Sequence, residues 1–258
     1  MPSITVPLAD AKHLAAALLP HISTDLVTPV LTGFQVAGKY AVATDRYTVA
    51  RYDLTNVLVG ADEVPEPIWF PRAALAWVKT IGQASLLYDF ATGRYHVRFS
   101  SVKHERYESS DYVQVEVIWM GGEDEPNFEE VHLLRRFTTR GARGNFPSVD
   151  RLFEQFLPGE TAVIGLGAEQ VEKFTAYAKF ANRPAPIKIT FPRANATGNK
   201  LMPSLVEIGQ RFKGLIQPNI ILDNAGYGVD LAAENVARDA EAAGKRADTK
   251  PADTEGGE

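Results

Sequence analysis

Five histidines are the residues in this chain best suited to hold a metal or move a proton, and they stand singly: His13, His21, His96, His104 and His132. No two have the spacing that brings imidazoles onto one ion, so each reads as a surface or strand residue. The acidic run "GGEDEPNFEE" (121–130) has the carboxylates for a cation, but between strands it reads first as a solvated loop. "GLGAEQ" sets Gly165 and Gly167 between a strand and a helix. Gln170 then stands where a dinucleotide fingerprint needs glycine or alanine, and no βαβ unit surrounds it, so a tight turn is expected there. The absence of cysteine removes thiol catalysis, Cys-ligated zinc and disulfides. A Gly-Lys-Ser/Thr phosphate loop, a His-Glu-x-x-His pair and a Gly-x-Ser-x-Gly elbow are also missing. The expectation is a protein without catalytic residues, metal or cofactor.

The elements that carry the remaining polar groups read as α+β. "SITVP" is a short strand, and Leu8–Leu19 has apolar residues at helical spacing, with Pro20 as its stop. Three strands follow within "LVTPVLTGFQVAGKYAVATDRYTVARYDL" (26–54), with Thr44-Asp45-Arg46-Tyr47 at the crossing between two of them. A strand at Ile68–Phe70 leads through Pro71 into a helix ending near Gly82, with Leu75 and Val78 inward. Strands are read at "SLLYDF", "RYHVRFSS", "DYVQVEVIWM" and "EVHLLRRFTTRG". A third stretch gives the strand "TAVIGL" and a helix burying Val171, Phe174, Ala178 and Ala181. The strands "PIKITF", "SLVEIG" and "RFKGLIQPNIIL" come after it. Strand, one helix, then strands without another helix is thus read three times, with helices on one face of antiparallel sheets.

Charge narrows the partners. Of the net −5, residues 225–258 hold eight acids and four bases, which leaves the first 224 residues near −1. That tail is poor in large apolar residues and reads as disordered. The body does not resemble a strongly basic nucleic-acid binder. The three helices nevertheless carry Lys12, then Arg72 and Lys79, then Lys173, Lys179 and Arg183, a sparse basic lining if all lie on one face. Arg135, Arg136, Arg140 and Arg143 form a denser cluster, which either touches phosphate or protects a strand edge by charge. No apolar run approaches the ~18 residues of a membrane span, and "MPSITVPLADAKHL" has no signal-peptide pattern, so no membrane and a cytoplasmic location are expected.

Four segments in order carry a family resemblance. "PVLTGFQV" followed by "AVATDRYTVARYDL", then "IWFPRAALAWV", "GNFPSVDRLFEQFLP" and "FKGLIQPNIIL" resemble the bacterial DNA sliding clamp, the β subunit of the replicative polymerase. The match is good over about 3–155 and poor over 160–222 apart from its last strand. It implies a DNA-clamp fold of repeated strand-helix-strand units, antiparallel sheets outside and helices on one face. The implied layout is a clamp domain at 1–155 like the family's middle domain, a shorter one at 156–224 and the tail at 225–258. The implied function is a non-enzymatic processivity factor that encircles duplex DNA without reading sequence and binds polymerase and clamp-loader peptides. In the family, these segments converge on a shallow peptide pocket. Carried over, it comprises Leu31, Thr44, Arg46, Tyr47 and Val49, with Pro147, Arg151 and Leu152 as one wall and Leu215, Pro218 and Asn219 as another. Tyr47-Thr48-Val49 replaces the usual His-Arg-Leu, and Asn219-Ile220 the usual Met-Arg, which implies a different preferred peptide. Two domains per chain would close a six-domain ring as a trimer. A clamp-like adaptor or decoy with the groove but no ring is the alternative, and the compact size fits a phage or mobile-element source.

Overall fold

A computed structural model describes residues 2–82, 95–103, 111–121, 127–141, 145–158, 165–181, 185–192 and 202–218. β1 (Ser3–Pro7) runs into α1 (Leu8–Leu18), which buries Leu8, Ala11, Leu14, Ala15, Ala17 and Leu18. Pro20 does end the helix, through a 3₁₀ turn at Leu19–His21. A second 3₁₀ turn, Pro29–Thr32, precedes β2 (Gly33–Gly38), β3 (Tyr40–Thr44) and β4 (Thr48–Asp53). The strands therefore begin later than the sequence implied. The ring of Pro29 fixes φ, and the Leu31 N–H returns to the Thr28 carbonyl.

β5 (Val64–Pro71) is longer than the Ile68–Phe70 expected. Pro71 is the extended residue capping α2 (Arg72–Lys79) rather than its first helical residue. The helix closes at Thr80, two residues before Gly82: the Thr80 N–H bonds the Trp77 carbonyl and the Ile81 N–H the Val78 carbonyl. β6 (Tyr95–Lys103), β7 (Asp111–Gly121) and β8 (Asn127–Arg140) follow, then α3 (Asp150–Glu154) and α4 (Ala168–Phe180). β9 (Ile187–Thr190), β10 (Ser204–Ile208) and β11 (Phe212–Ile216) complete the described elements. The expected strand "SLLYDF", residues 161–164 of "TAVIGL", and the tail at 225–258 lie outside the described residues.

All pairings are antiparallel, in two sheets ordered β1-β6-β7-β8 and β5-β2-β3-β4-β11-β10-β9. Two exchanges define this topology. β1 pairs with β6, from Ser3↔Ser100 to Pro7↔His96, and β5 pairs with β2, as in Phe34↔Phe70. The strand ahead of each helix thus joins the sheet that follows the other helix. β11 then adds to β4, from Phe212↔Tyr52 to Ile216↔Thr48, so one sheet runs from residues 33–71 into residues 187–216.

The helices pack over the inner face, where Phe34, Phe70, Phe99, Leu14, Leu75 and Phe212 are fully buried. Each such side chain is worth about 1.5–3 kcal/mol of transfer free energy. α1 packs against both α2 and α4, which makes the three helices one layer. α4 sits on β11 only because residue 214 is glycine: a Cβ there would stand 2.4 Å from the Phe174 ring and 2.8 Å from the Val49 carbonyl. On the outer face, Val42, Val49 and Leu215 form a smaller cluster with Val149, packed by Phe146, Phe153 and Leu205. The segment with α3 is fastened there by Arg51, which stacks on Phe153 (4.0 Å) and Tyr40 (4.5 Å) and faces Asp150 at 3.6 Å.

Candidate functional site

The stretch Thr44–Tyr47 forms the turn between β3 and β4, and half of its polarity builds the turn. The buried Thr44 hydroxyl donates to the Thr48 carbonyl (2.8 Å) and accepts the Arg46 N–H (3.2 Å). Asp45 Oδ1 accepts the Tyr47 N–H (3.1 Å), the Thr48 N–H (2.8 Å) and the Thr48 hydroxyl (2.9 Å). Its other oxygen pairs with the Lys173 ammonium of α4, 128 residues away in sequence. Burial opposes ionisation of Asp45, but Lys173 and the Thr48 donors outweigh it and hold the carboxyl below the usual carboxylate range.

His21 completes this network from beneath. The ring is fully buried, 4.6 Å from the Phe174 ring, with Nδ1 at 3.0 Å from Thr48 Oγ1. The Thr48 hydroxyl donates to Asp45, so Nδ1 carries the imidazole proton and donates to Thr48, a tautomer assigned from the network. Nε2 has no hydrogen-bond partner among the described residues. Burial pushes the pKa down to about 3, with Asp45 pulling it up and Lys173 adding to the depression. The sequence reading of His21 as a surface or strand residue is corrected: it lies in the core, in a 3₁₀ turn. Asp45 was also missed. The signal was its place in a three-residue hairpin loop, where a carboxylate bonds its own backbone two and three residues on.

The other half of the turn faces solvent. Arg46 adopts φ 81°, a left-handed conformation costing a non-glycine residue roughly 1–2 kcal/mol. Its guanidinium bonds the Thr28 hydroxyl and lies 3.8 Å from Asp25. That holds the loop whose Leu26 and Val27 are 80% and 84% exposed. Tyr47 is 61% exposed, and its carbonyl accepts the Gln217 N–H (3.0 Å), which ties the turn to the end of β11.

Thr44, Arg46, Tyr47, Val49, Leu215 and the buried Pro218 therefore meet at one end of the β4–β11 seam. Leu31 is buried at the end of the 23–31 loop, its carbonyl accepting the Ser23 N–H. Pro147, Arg151 and Leu152 are exposed on the segment that already covers Val49 and Leu215. Asn219 lies outside the described residues. A cavity of about 790 Å³ lies elsewhere, between β1 and the 58–66 segment, with Arg98 and Glu63 in its wall.

Arg72 and Lys79 are exposed and seven residues apart, on one face of α2. Lys12 is half-buried on the neighbouring α1, Lys179 is exposed near the end of α4, and Arg183 lies outside the described residues. Lys173 faces Asp45 rather than open solvent, so its charge is engaged inside the protein. Among the described residues, no three His, Asp or Glu side chains converge as metal ligands, and no helix is long and apolar enough to cross a membrane.

This arrangement, a layer of helices under antiparallel sheets that run on from one part of the chain to the next, is a clamp-like fold. Solved bacterial clamps share it. The DNA polymerase sliding clamp of Bacillus subtilis superposes with a TM-score of 0.52 at 15% identity, covering 85% of this chain and 64% of that one. DNA polymerase III subunit beta of Borrelia burgdorferi, solved with a natural product, gives 0.52 at 11% identity with the same coverage. The Pseudomonas aeruginosa sliding clamp gives 0.50 at 13%, covering 85% and 67%. The chain thus spans a little under two thirds of the first two. No family model and no curated protein matches the sequence.

Proposed function

We propose that this protein is a sliding clamp: a non-enzymatic processivity factor that surrounds duplex DNA as a ring oligomer and binds partner peptides at the β4–β11 seam. The observation that carries the reading is the join of β4 to β11. It makes one sheet continuous across two parts of the chain while α1, α2 and α4 form a single layer beneath. A ring assembled from such parts has sheets outside and helices toward the DNA. The repeated strand-helix-strand units and the divisions 1–155, 156–224 and 225–258 belong to this reading.

A ring retains DNA topologically, so its lining needs few charges and no base contacts. α1, α2 and α4 carry five basic side chains against three acidic ones; Lys173 is taken by Asp45, and the exposed Arg72, Lys79 and Lys179 are placed for loose, salt-sensitive contact with phosphate. The trimer expected from two complete domains is one way to reach closure; the number of chains per ring is open to direct measurement. Loaded protein should stay on nicked circular DNA and be lost from the same DNA once linearised. Arg72→Glu with Lys79→Glu should reduce retention on circles. Equal loss from circles and linear DNA would sink the ring.

The groove is tested separately. Tyr47 is exposed, so Tyr47→Ala should leave stability within ±0.5 kcal/mol. It should weaken binding of a fluorescent peptide from a partner polymerase roughly tenfold, as loss of an aromatic contact does. Unchanged peptide affinity would remove Tyr47 from the groove.

A further inference from the structure

One edge of β1 pairs with β6, and the other meets no strand. Pro2 accepts the Ser101 N–H, so Ile4 and Val6, in step with it, turn their backbone groups toward β6. Ser3 and Thr5 turn theirs the other way. The Thr5 carbonyl accepts the Val59 N–H (2.9 Å). The Ser3 N–H, the Ser3 carbonyl and the Thr5 N–H make no hydrogen bond among the described residues. Pro7 has no N–H to offer, which confines the open edge to Ser3–Thr5.

The chain itself leaves this edge free. Beyond Val59 no residue of the 58–66 segment bonds β1, and β5 carries Pro65 and Pro67, which cannot donate to a neighbouring strand. The gap is the cavity of about 790 Å³, within the size range of ligand sites, and every residue lining it is a described one. Leu58, Val64 and Ile68 give it an apolar wall.

Its polar walls carry opposite charge. Val97 and Phe99 of β6 are buried in the core, so Arg98 and Ser100 fall on the face of the sheet away from the helices. Arg98 stands 3.7 Å from Glu116, whose Oε1 is already held by Arg136 at 2.7 Å. The Arg98 guanidinium makes no hydrogen bond among the described residues. Across the gap, Glu63 and Glu66 are exposed and form no ion pair among the described residues.

We propose that this cleft binds a short extended peptide of a partner protein, which adds to β1 as an edge strand at Ser3–Thr5. The free backbone groups of Ser3 and Thr5 supply its ladder. Thr5 is paired with Arg98, so a peptide residue level with Thr5 lies two strand spacings, about 10 Å, from Arg98 on the same face. An acidic side chain there meets the guanidinium. A basic side chain two residues along shares that face and answers Glu63 and Glu66. The cleft opens away from the helix layer, and β2 and β3 separate β5 from the β4–β11 seam. The inference therefore rests on neither the ring nor the groove.

The test is fluorescence anisotropy on the full chain with the labelled peptide Thr-Glu-Val-Lys-Val-Thr. Its glutamate and lysine share one face and its valines the other. Binding is expected, and replacing either the glutamate or the lysine by glutamine should weaken it roughly tenfold or more. N-methylation of the central valine pair should do the same, since it removes ladder donors that a charge attraction alone does not need. Arg98→Gln should match the loss from the glutamate-to-glutamine peptide, and the two changes together should cost no more than one. Ser3→Pro, at an exposed edge position, removes one edge donor and no bond to β6, and should also weaken binding. Circular dichroism verifies that each variant is folded. Tyr47→Ala should leave the affinity unchanged. No binding of the parent peptide, or equal binding of the methylated or glutamine peptides, overturns the proposal. A loss in Tyr47→Ala would move the peptide to the seam and overturn it as well. Binding that appears only once residues 225–258 are removed would make the chain's own tail the occupant in place of a partner.

Discussion

Acidification from neutrality to about pH 4 is expected to remove roughly 3 kcal/mol of stability through His21 alone, at about 1.4 kcal/mol per pH unit. Folded His21 stays neutral until about pH 3, because its ring is buried and Nε2 has no hydrogen-bond partner among the described residues. In the unfolded chain the same imidazole takes a proton below its ordinary value of 6.5. Between these limits the unfolded state binds more protons, so stability falls as pH falls. Against a typical domain stability of about 5–15 kcal/mol the effect is large. Asp45 acts in a lower window. Its folded pKa is depressed, so its contribution is present above its unfolded pKa of 3.8 and is lost only as pH falls through the folded value. Urea unfolding at a series of pH values measures the slope. His21→Phe keeps the ring contacts with Phe174 and Phe212 and removes the titrating group. It should flatten the curve above about pH 4. An unchanged slope in that variant would assign the acid sensitivity to other groups.

Asp45→Ala should destabilise the protein by roughly 2–4 kcal/mol, since one carboxylate accepts three hydrogen bonds inside the turn and also pairs with α4. The figure is held below that of a fully buried pair because the Lys173 side chain is 26% exposed and partly screened. Lys173→Met alone leaves the carboxylate its turn bonds and should cost less. Asp45→Ala combined with Lys173→Met should fall short of the sum by about 1 kcal/mol, the share of the ion pair itself. Strict additivity in a thermal or urea cycle would show that the pair contributes nothing beyond the turn. Because Tyr47 and Arg46 sit on this turn, Asp45→Ala should also weaken peptide binding in protein that is still folded. Tyr47→Ala lowers binding alone, and the contrast separates the residue that shapes the turn from the one that meets the ligand.

Much of the architecture was written locally. The apolar spacing of Leu8–Leu19, with Pro20 as its stop, gives the first helix to within a residue, and Pro71 marks the entry to the second. The runs "DYVQVEVIWM" and "SLVEIG" read as strands and fold as β7 and β10. These signals depend only on side chains a few positions apart. The order of four motif segments was equally local, and it led to the fold that the solved clamps share.

Tertiary structure decided what no neighbouring residues encode. Single-chain periodicity reads "strand" without naming a partner, so the exchange of β1 and β5 and the joining of β4 to β11 were invisible. Lys173 read as a surface cation because a lysine at an exposed helical spacing has no local mark of its partner; only folding brings it to Asp45. His21 follows a helix stop, a place usually open to water, and is buried because α4 and β11 arrive over it from far along the chain. Hydrophobic pattern fixes which face of an element leaves water, whereas the partner that covers it is set by packing summed over the whole fold.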